Sequence, residues 1–480
     1  MFEASDLGEL SAADLIDAAR QWARAENAAA ARKMAVMSEL FTRRTGVDAE
    51  DRSGWWLDPD AAVAAEVAVA VGVTQGLALH QIQRAVALRD RLPRVAALFA
   101  EGLISDLMIR KIVYRTGLVT DLAVMAEVDA VIADRVGRWG QLSEKKIEQA
   151  IDATVLAHDP IAVRQVVESL AGRRVEFGSP SDAPGFTSVW ALLPVADATA
   201  LQDRLEAIAH TVCSADPRTL QNRRADALSA IGVGLDALVC QCGLDDCDAA
   251  TGPTPSPNTT VYVIADTETV EETVTEEPAR RDKPALIFGS GVTTVEALNL
   301  TRARLRQIVH PGDAPPEAHY VPSRALAEFV RCRDVTCRFP GCDVPATEAD
   351  IDHTVPYPVG PTHASNLKAL CRFHHLLKTF WAGLEGWHDR QLPDGTVIWT
   401  SPTGHSYTTY PGSRDLFPSL CRPTGTLWDA EPPRPPACEA RGAMMPRRRR
   451  TRAQSRARAV TAARRLNQQR GAEAHGPPPF

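Results

Sequence analysis

A set of metal-binding residue types in one short segment constrains this chain more than any other feature. Cys337 and Cys342 are separated by four residues around a Phe-Pro-Gly turn, and Cys371 and His374 are separated by two. Three thiolates and one imidazole suit the closed tetrahedral site of a structural zinc ion. Such a site supplies on the order of 10 kcal/mol of folding free energy to a segment too short for its own core. The spacing therefore predicts structural Zn²⁺ at these residues. The alternative is four unrelated residues, two in a turn and two on a core face.

The same segment holds polar residues that this zinc site does not use. They are Asp352, His353, Asn366 and His375. We expect a helix from Asn366 onward, in which consecutive side chains point about 100° apart. His374 can then face the zinc with Cys371, while His375 faces a second metal. Hydrolysis of a phosphodiester needs a base and a cation, for which His353 and Asp352 are suitable.

These residues resemble the HNH (ββα-metal) nuclease motif. The resemblance is carried by Asp352-His353, Asn366-Leu367 and Cys371-x2-His374-His375-x2-Lys378, together with the Cys-x4-Cys spacing. It implies two strands and a helix around one catalytic divalent ion, Mg²⁺ or Mn²⁺. It also implies that His353 is the general base, that Asn366 holds the loop and orients this base, and that Asp352 and His375 bind the catalytic metal. Lys378 and Arg372 would lie near a phosphate.

Two positions depart from the usual motif. Val359-Gly360-Pro361-Thr362 stands where relatives often have a Gly-Gly pair before the Thr, and His374 stands where many have a fourth cysteine. Neither change removes a catalytic residue type. Beyond the motif, the helical N-terminal half and the segment 221–228 resemble actinobacterial proteins of the 13E12-repeat family. In that family a helical domain of unknown function precedes an HNH nuclease.

The pattern along the chain predicts an α+β protein. Residues 1–173 are alanine-rich with apolar residues at helical spacing, which predicts a helical domain. Residues 174–310 alternate strand-like and helical patterns and are predicted to be a mixed α/β region. A proline-rich linker (311–322) then leads to a small zinc-stapled ββα-metal HNH module with a short β extension (323–412). Residues 413–480 are rich in proline and arginine, which predicts a disordered basic tail.

The tail concentrates positive charge in a chain whose formal net charge is −7. Eleven arginines and no acidic residue lie between positions 441 and 470. The run Arg447, Arg448, Arg449 and Arg450 has no interleaved aromatic residue, which favours contacts with DNA phosphates over base stacking. The alternative is a solvated tail with no fixed partner.

The remaining features bear on compartment and on a second metal site. The N-terminus lacks the basic and apolar regions of a secretory signal, and the most apolar stretch, residues 61–73, is interrupted by Glu66. We therefore expect a cytoplasmic protein without a membrane partner; the sequence names no protein partner. Cys240-x-Cys242-x4-Cys247, alone or joined by Cys213, could hold a second zinc ion, or these residues could be thiols without metal; no fourth ligand is evident close by in the sequence.

Together these patterns favour a metal-dependent DNA endonuclease of the HNH type. One alternative is a non-catalytic zinc-containing DNA-binding protein, in which the zinc site is only a scaffold. Another gives the N-terminal half the main role, as a protein-interaction module that delivers the nuclease.

Overall fold

The computed structural model describes most of the chain, in the ranges given at the end of this paragraph. These residues form α-helices and short β-sheets, which confirms the predicted α+β class. The chain divides into two compact units. The first unit comprises Met1–Val166, His310–Arg414 and Cys421–Phe480, and the second comprises Val167–Val309 and Asp415–Leu420. The described residues are 7–45, 52–139, 142–163, 173–179, 182, 186–250, 262–265, 284–289, 291–294, 306–381, 386–428, 431–433 and 444–474.

Among the described residues of the N-terminal part of the first unit there are seven α-helices, in line with the predicted helical domain. Their ends carry ordinary capping signals: the Asp58 side chain accepts a hydrogen bond from Ala61 N with Pro59 at the first helical position, and Gly72 ends the same helix at φ +66°. Their shared core contains fully buried side chains such as Val95, Ile112 and Ile132. The helices are α1 (Ala12–Arg44), α2 (Pro59–Val71), α3 (Gln75–Arg91), α4 (Pro93–Ala100), α5 (Asp106–Arg115), α6 (Leu122–Val136) and α7 (Glu144–His158).

Residues 323–412, here called the Cys/His region, belong to the same unit. The region begins with a helix, continues with an antiparallel strand pair and a second helix, and ends in a three-stranded antiparallel meander. The strand pair places Asp352 opposite Lys368. The elements are α10 (Arg324–Asp334), β6 (Asp350–His353), β7 (Leu367–Leu370), α11 (Arg372–Phe380), β8 (His388–Gln391), β9 (Val397–Thr400) and β10 (Ser406–Thr409).

One prediction for this region is wrong. The helix expected from Asn366 onward begins at Arg372, because residues 367–370 form strand β7. All four strand residues are buried, and the Asp334 carboxylate accepts the backbone N–H of Ala369. A short, fully buried apolar run does not show whether it is helix or strand, and here the pairing with β6 decides.

The C-terminal segment also differs from its prediction. Residues 452–474 form a helix, α12 (Arg452–Ala474), rather than a disordered tail. Val460 and Ala463 pack against the helical core, and Asn467 donates hydrogen bonds to the carbonyls of Ile161 and Val163. These apolar and amide contacts fix the position of a segment whose charge alone suggested disorder.

The second unit has the predicted mixed character. Its α8 (Val195–Ala209) and α9 (Leu220–Gly232) pack through Ile208 and Ala227, which are fully buried. Helix α9 ends at Gly232, and within the described residues 262–265 the strand β3 covers Val263–Ala265. The strands are β1 (Arg174–Phe177), which pairs with β2 (Val189–Leu192), and β3, β4 (Pro284–Ile287) and β5 (Gly291–Thr294), which form an antiparallel sheet.

Among the described residues, no single helix is both long enough and apolar enough to cross a bilayer. By length and composition alone, α2 and α3 pass that test only as a pair, and the chain bends by 107° between them.

Candidate active site

The four predicted zinc ligands lie together in the structure and are called the first cluster. Cys337 and Cys342 come from the turn before β6, where Gly341 adopts φ +72°, and Cys371 and His374 come from the start of α11. Their ligand atoms all lie within 4.8 Å of one another. Cys371 Sγ is 4.0 Å from Cys342 Sγ and 3.2 Å from His374 Nδ1. Ligand atoms around a tetrahedral zinc ion are separated by roughly 3.5–3.8 Å, so this cluster could hold such a metal.

Aromatic rings enclose the first cluster. The Phe339 ring stacks on His374 with 3.9 Å between ring centroids, and it contacts Trp387 and Trp399 edge-on. Cys337 and Cys371 belong to the same buried core. The cluster is therefore part of the packing of the Cys/His region rather than a surface feature.

Asp352 and His375 face each other beside the first cluster. Asp352 Oδ1 is 3.5 Å from His375 Nε2, and His375 Nδ1 is 2.8 Å from Asp350 Oδ2. A metal-binding histidine usually donates its other ring N–H to a carboxylate, which fixes the tautomer and the ring. Asp350 has that position here. Nε2 is then the ring nitrogen that faces Asp352, and the two predicted ligands of the catalytic ion are brought together.

Two lysines, one fully buried and one partly buried, hold the other oxygen of Asp352. Asp352 Oδ2 accepts hydrogen bonds from Lys368 Nζ at 2.7 Å and from Lys378 Nζ at 2.6 Å. Lys368 Nζ also lies 2.5 Å from the Asp389 carboxylate. Burial alone would raise the pKa of Asp352, but the two ammonium groups and His375 outweigh it and hold that pKa well below its ordinary value. Asp352 is therefore a carboxylate, with Oδ1 directed at His375.

Lys378 has further partners at the end of β6. Its phosphate contact stays a prediction; its ammonium group also donates to the carbonyls of His353 and Thr354. Its side chain is only 11 % exposed. Lys378 thus connects α11 to the end of β6, rather than presenting its charge on the surface.

His353 is buried and its tautomer follows from its partner. His353 Nε2 lies 2.9 Å from Thr362 Oγ1, and the Thr362 hydroxyl donates its single proton to the carbonyl of His319. Thr362 Oγ1 must therefore accept from His353, so Nε2 carries the proton and Nδ1 keeps the lone pair. The Tyr320 ring stacks on the imidazole at 5.3 Å. Burial lowers the pKa of His353 below its ordinary value of 6.5, which keeps the ring neutral near pH 7.

Asn366 holds the loop that follows His353. It is fully buried; its Oδ1 accepts from Val355 N at 2.8 Å and its Nδ2 donates to the carbonyls of Val355 and Pro361 at 3.0 and 2.9 Å. The loop passes so close to this amide that a Cβ at Gly360 would lie 2.6 Å from Nδ2 and 2.2 Å from the Val355 carbonyl oxygen. Gly360 has no Cβ and therefore lets the loop backbone approach the Asn366 amide. The single glycine suffices at the position where the usual motif often has a Gly-Gly pair.

The predicted phosphate-contacting arginines fall into two groups. Arg372, Arg447, Arg449 and Arg450 are exposed. Arg448 instead donates two hydrogen bonds to the carbonyl of Trp56, at 2.9 and 2.8 Å, and fixes the tail. The Trp56 ring in turn contacts Phe373 of α11, with 6.1 Å between centroids. The arginine run consequently lies beside the helix that carries His375.

Comparison with known proteins places this chain in a family. The family described as "Domain of unknown function (DUF222)" matches residues 21–334. The chain belongs to this family. It is 44 % identical to "Uncharacterized protein Rv2100" of Mycobacterium tuberculosis over all of this chain and 93 % of that protein. It is 45 % identical to "Uncharacterized protein Rv3776" of the same organism, over 94 % of this chain and 91 % of that protein. No solved structure matches the chain.

The family match ends at Asp334, before the first cluster begins, so the site rests on its own geometry. Three residues of that geometry were missed in the sequence. Asp350 shares a strand face with Asp352, two residues on, and this alternation was a usable signal. Lys368 and Asp389 were not marked by spacing, because the register of β7 against β6 brings Lys368 to Asp352, and Asp389 reaches Lys368 from β8, a strand of another sheet.

Proposed function

We propose that the Cys/His region is an HNH-type, metal-dependent DNA endonuclease module in a protein of the 13E12-repeat kind. One observation carries the proposal: Asp352 Oδ1 faces His375 Nε2 at 3.5 Å next to a buried neutral His353, while the neighbouring His374 turns to the first cluster. Two adjacent histidines thus serve two different sites. We assign zinc to the first cluster, because three thiolates and an imidazole are its usual structural ligands.

His353 is suited to the general-base role. Its Nδ1 lone pair would take the proton from the attacking water, while Nε2 stays hydrogen-bonded to Thr362 and keeps the ring in place. The lowered pKa keeps the base unprotonated at neutral pH. Asn366 fixes the loop next to the base, which restricts how far the ring can move.

Asp352 and His375 offer an oxygen and a nitrogen ligand that fit a divalent ion such as Mg²⁺ or Mn²⁺. When bound, such an ion would neutralise charge on the phosphate and on the leaving oxygen. Neighbouring residues orient each of these two ligands. Asp350 orients His375, and the two lysines orient Asp352 while lowering the net negative charge that a phosphate would meet.

DNA is the proposed substrate because of where the exposed arginines lie. Arg372 stands on α11 itself, and Arg449 and Arg450 follow the tail residue that binds Trp56 beside this helix. Guanidinium groups at such positions would contact phosphates and release counterions. The tail then supplies attraction for a polyanion next to the proposed hydrolytic site.

A non-catalytic DNA-binding protein is the second candidate. The observation that favours it is the pair of ammonium groups on Asp352 Oδ2, which already neutralise this carboxylate. In that case the same fold would bind DNA without cleaving it.

The test uses the full-length chain and a supercoiled plasmid, with Mg²⁺, Mn²⁺ or EDTA. We expect nicked or linear plasmid with a divalent ion and none with EDTA. His375→Ala should abolish cleavage while leaving the zinc content unchanged, because its neighbour His374 is the zinc ligand. Salt-sensitive binding without cleavage under every metal would favour the second candidate and overturn the first.

A further inference from the structure

Four cysteines of the second unit form a second cluster that the proposed function does not use. Cys213 follows α8, whereas Cys240, Cys242 and Cys247 lie in the segment after α9. Their sulfur atoms all lie within 4.8 Å of one another, and Cys213 Sγ is 3.5 Å from Cys240 Sγ. Sulfur atoms around a tetrahedral zinc ion are roughly 3.8 Å apart. The cluster has the composition and the spacing of a four-thiolate site.

Contacts other than the thiols hold the two segments in place. Asp216, three residues after Cys213, accepts a hydrogen bond from Gln241 N at 2.9 Å. Arg218 donates to the carbonyl of Val239 at 2.8 Å. Hydrogen bonds from side chains of one segment to the backbone of the other thus connect the two segments beside the cluster. The convergence of the sulfur atoms therefore follows from the fold of the two segments.

The turn that carries the last thiol is also formed by the backbone. Cys240 N donates to the carbonyl of Ala249 at 2.8 Å, and Cys247 N donates to the carbonyl of Leu244 at 3.3 Å. Gly243 adopts φ +69°, a conformation that glycine accommodates without strain. These bonds turn the chain back so that Cys247 faces the cysteines that precede it.

We propose that Cys213, Cys240, Cys242 and Cys247 bind a structural zinc ion. Soft thiolate ligands select zinc over magnesium or calcium, and a four-thiolate set leaves no position open for a substrate. A disulfide would need two sulfur atoms about 2.05 Å apart and would leave two thiols over. The ion would join the end of α8 to the loop after α9, beside a small core that includes Ile208 and Leu238.

Zinc content of the full-length protein, purified under reducing conditions and measured by elemental analysis, tests this proposal. We expect two zinc ions per chain in the wild type. Cys247→Ser should lower this to one, Cys337→Ser should also lower it to one, and Cys332→Ser, which changes a thiol outside both clusters, should leave two.

Cobalt provides a second readout that does not depend on stability. Reconstitution of Cys337→Ser with Co²⁺ should give the absorption of a four-thiolate tetrahedral site, and reconstitution of Cys247→Ser should give that of a site with three thiolates and one imidazole. A wild type that holds only one zinc ion per chain and keeps it in Cys247→Ser, iron in place of zinc, or a disulfide within the second cluster would each overturn the proposal. None of these results depends on whether the protein cleaves DNA.

Discussion

The two cysteine clusters have similar ligands but different surroundings. The first lies among Phe339, Trp387 and Trp399, and its helix α11 also carries His375 into the proposed hydrolytic site. The second lies in loops, with three of its four cysteines partly exposed. Both arrangements can fix a fold. In the first, His375 next to His374 takes part in a second set of polar groups, so that the proposed zinc binding and the proposed activity would be linked there.

Removing a ligand from the first cluster should have the largest effect. In Cys371→Ser we expect the Cys/His region to lose its packing, because zinc contributes on the order of 10 kcal/mol at such sites. Fluorescence of the buried Trp387 and Trp399 during thermal unfolding measures this. Cys247→Ser, in the second cluster, should leave that tryptophan signal nearly unchanged. The same change of tryptophan fluorescence in both variants would show that the two clusters do not differ in how they stabilise the Cys/His region.

Removing a buried charge beside Asp352 should have the second-largest effect. Lys368→Met removes one of the two ammonium groups that Asp352 and Asp389 share, and losing one partner of such a buried ion pair costs about 3–5 kcal/mol. Urea unfolding gives the free energy of unfolding directly. The control is Arg324→Ala, which removes an exposed ion pair with Glu328 and should cost only about 0.3–0.5 kcal/mol. Equal losses in the two variants would mean that the buried network contributes no more than a surface pair.

The pH dependence of cleavage should report His353. Its pKa is lowered by burial, so the base is unprotonated above its ordinary value of 6.5 and becomes protonated only below it. We expect the cleavage rate to be flat above about pH 6.5 and to fall on the acid side, up to tenfold per pH unit once the ring is mostly protonated. The same depressed pKa also makes the free energy of unfolding depend on pH. The contribution of His353 to it is fully present above pH 6.5 and is lost as the pH falls through the pKa of the folded state. A cleavage rate that rises steeply above pH 7 would contradict this assignment.

The smallest effect should come from the exposed tail arginines. Replacing Arg449 and Arg450 with Ser should reduce the slope of log binding constant against log salt by about 0.9 per lost phosphate contact. Binding to a short duplex at several salt concentrations measures the slope. Arg138→Ser, which changes another exposed arginine just after the end of α6, is the matched control. If the double variant has the same slope as the wild type, these two arginines do not contact DNA phosphates.

Local spacing predicted the ligands, whereas long-range pairing could not be predicted. The first cluster was predictable because each pair of ligands is close in the sequence and occupies a turn or the start of a helix. Lys368 was not, because its place beside Asp352 depends on the register of β6 against β7. That pairing also explains why residues 367–370 form a strand where a helix was expected.

Composition misled the prediction for the tail. Arginine-rich and proline-rich segments are typical of disorder, yet α12 is also rich in alanine, and Val460 and Ala463 supply an apolar face. Arg464 lies 2.6 Å from Asp159, so one tail charge is used inside the unit rather than toward a partner. The sequence of residues 452–474 has a helical pattern of apolar residues. Only the packing against the N-terminal helices shows which of these residues form the contact.

Cleavage of supercoiled plasmid by His353→Ala tests the central claim most directly, because this residue is proposed to act on the water and binds neither metal. Alongside wild type and His388→Ala, an exposed histidine of β8, the variant should keep its zinc and still unfold cooperatively, well above the assay temperature. Its cleavage rate should be roughly 10²–10⁴-fold lower than that of the two other proteins. Cleavage by a folded, zinc-loaded His353→Ala at the wild-type rate would contradict the account.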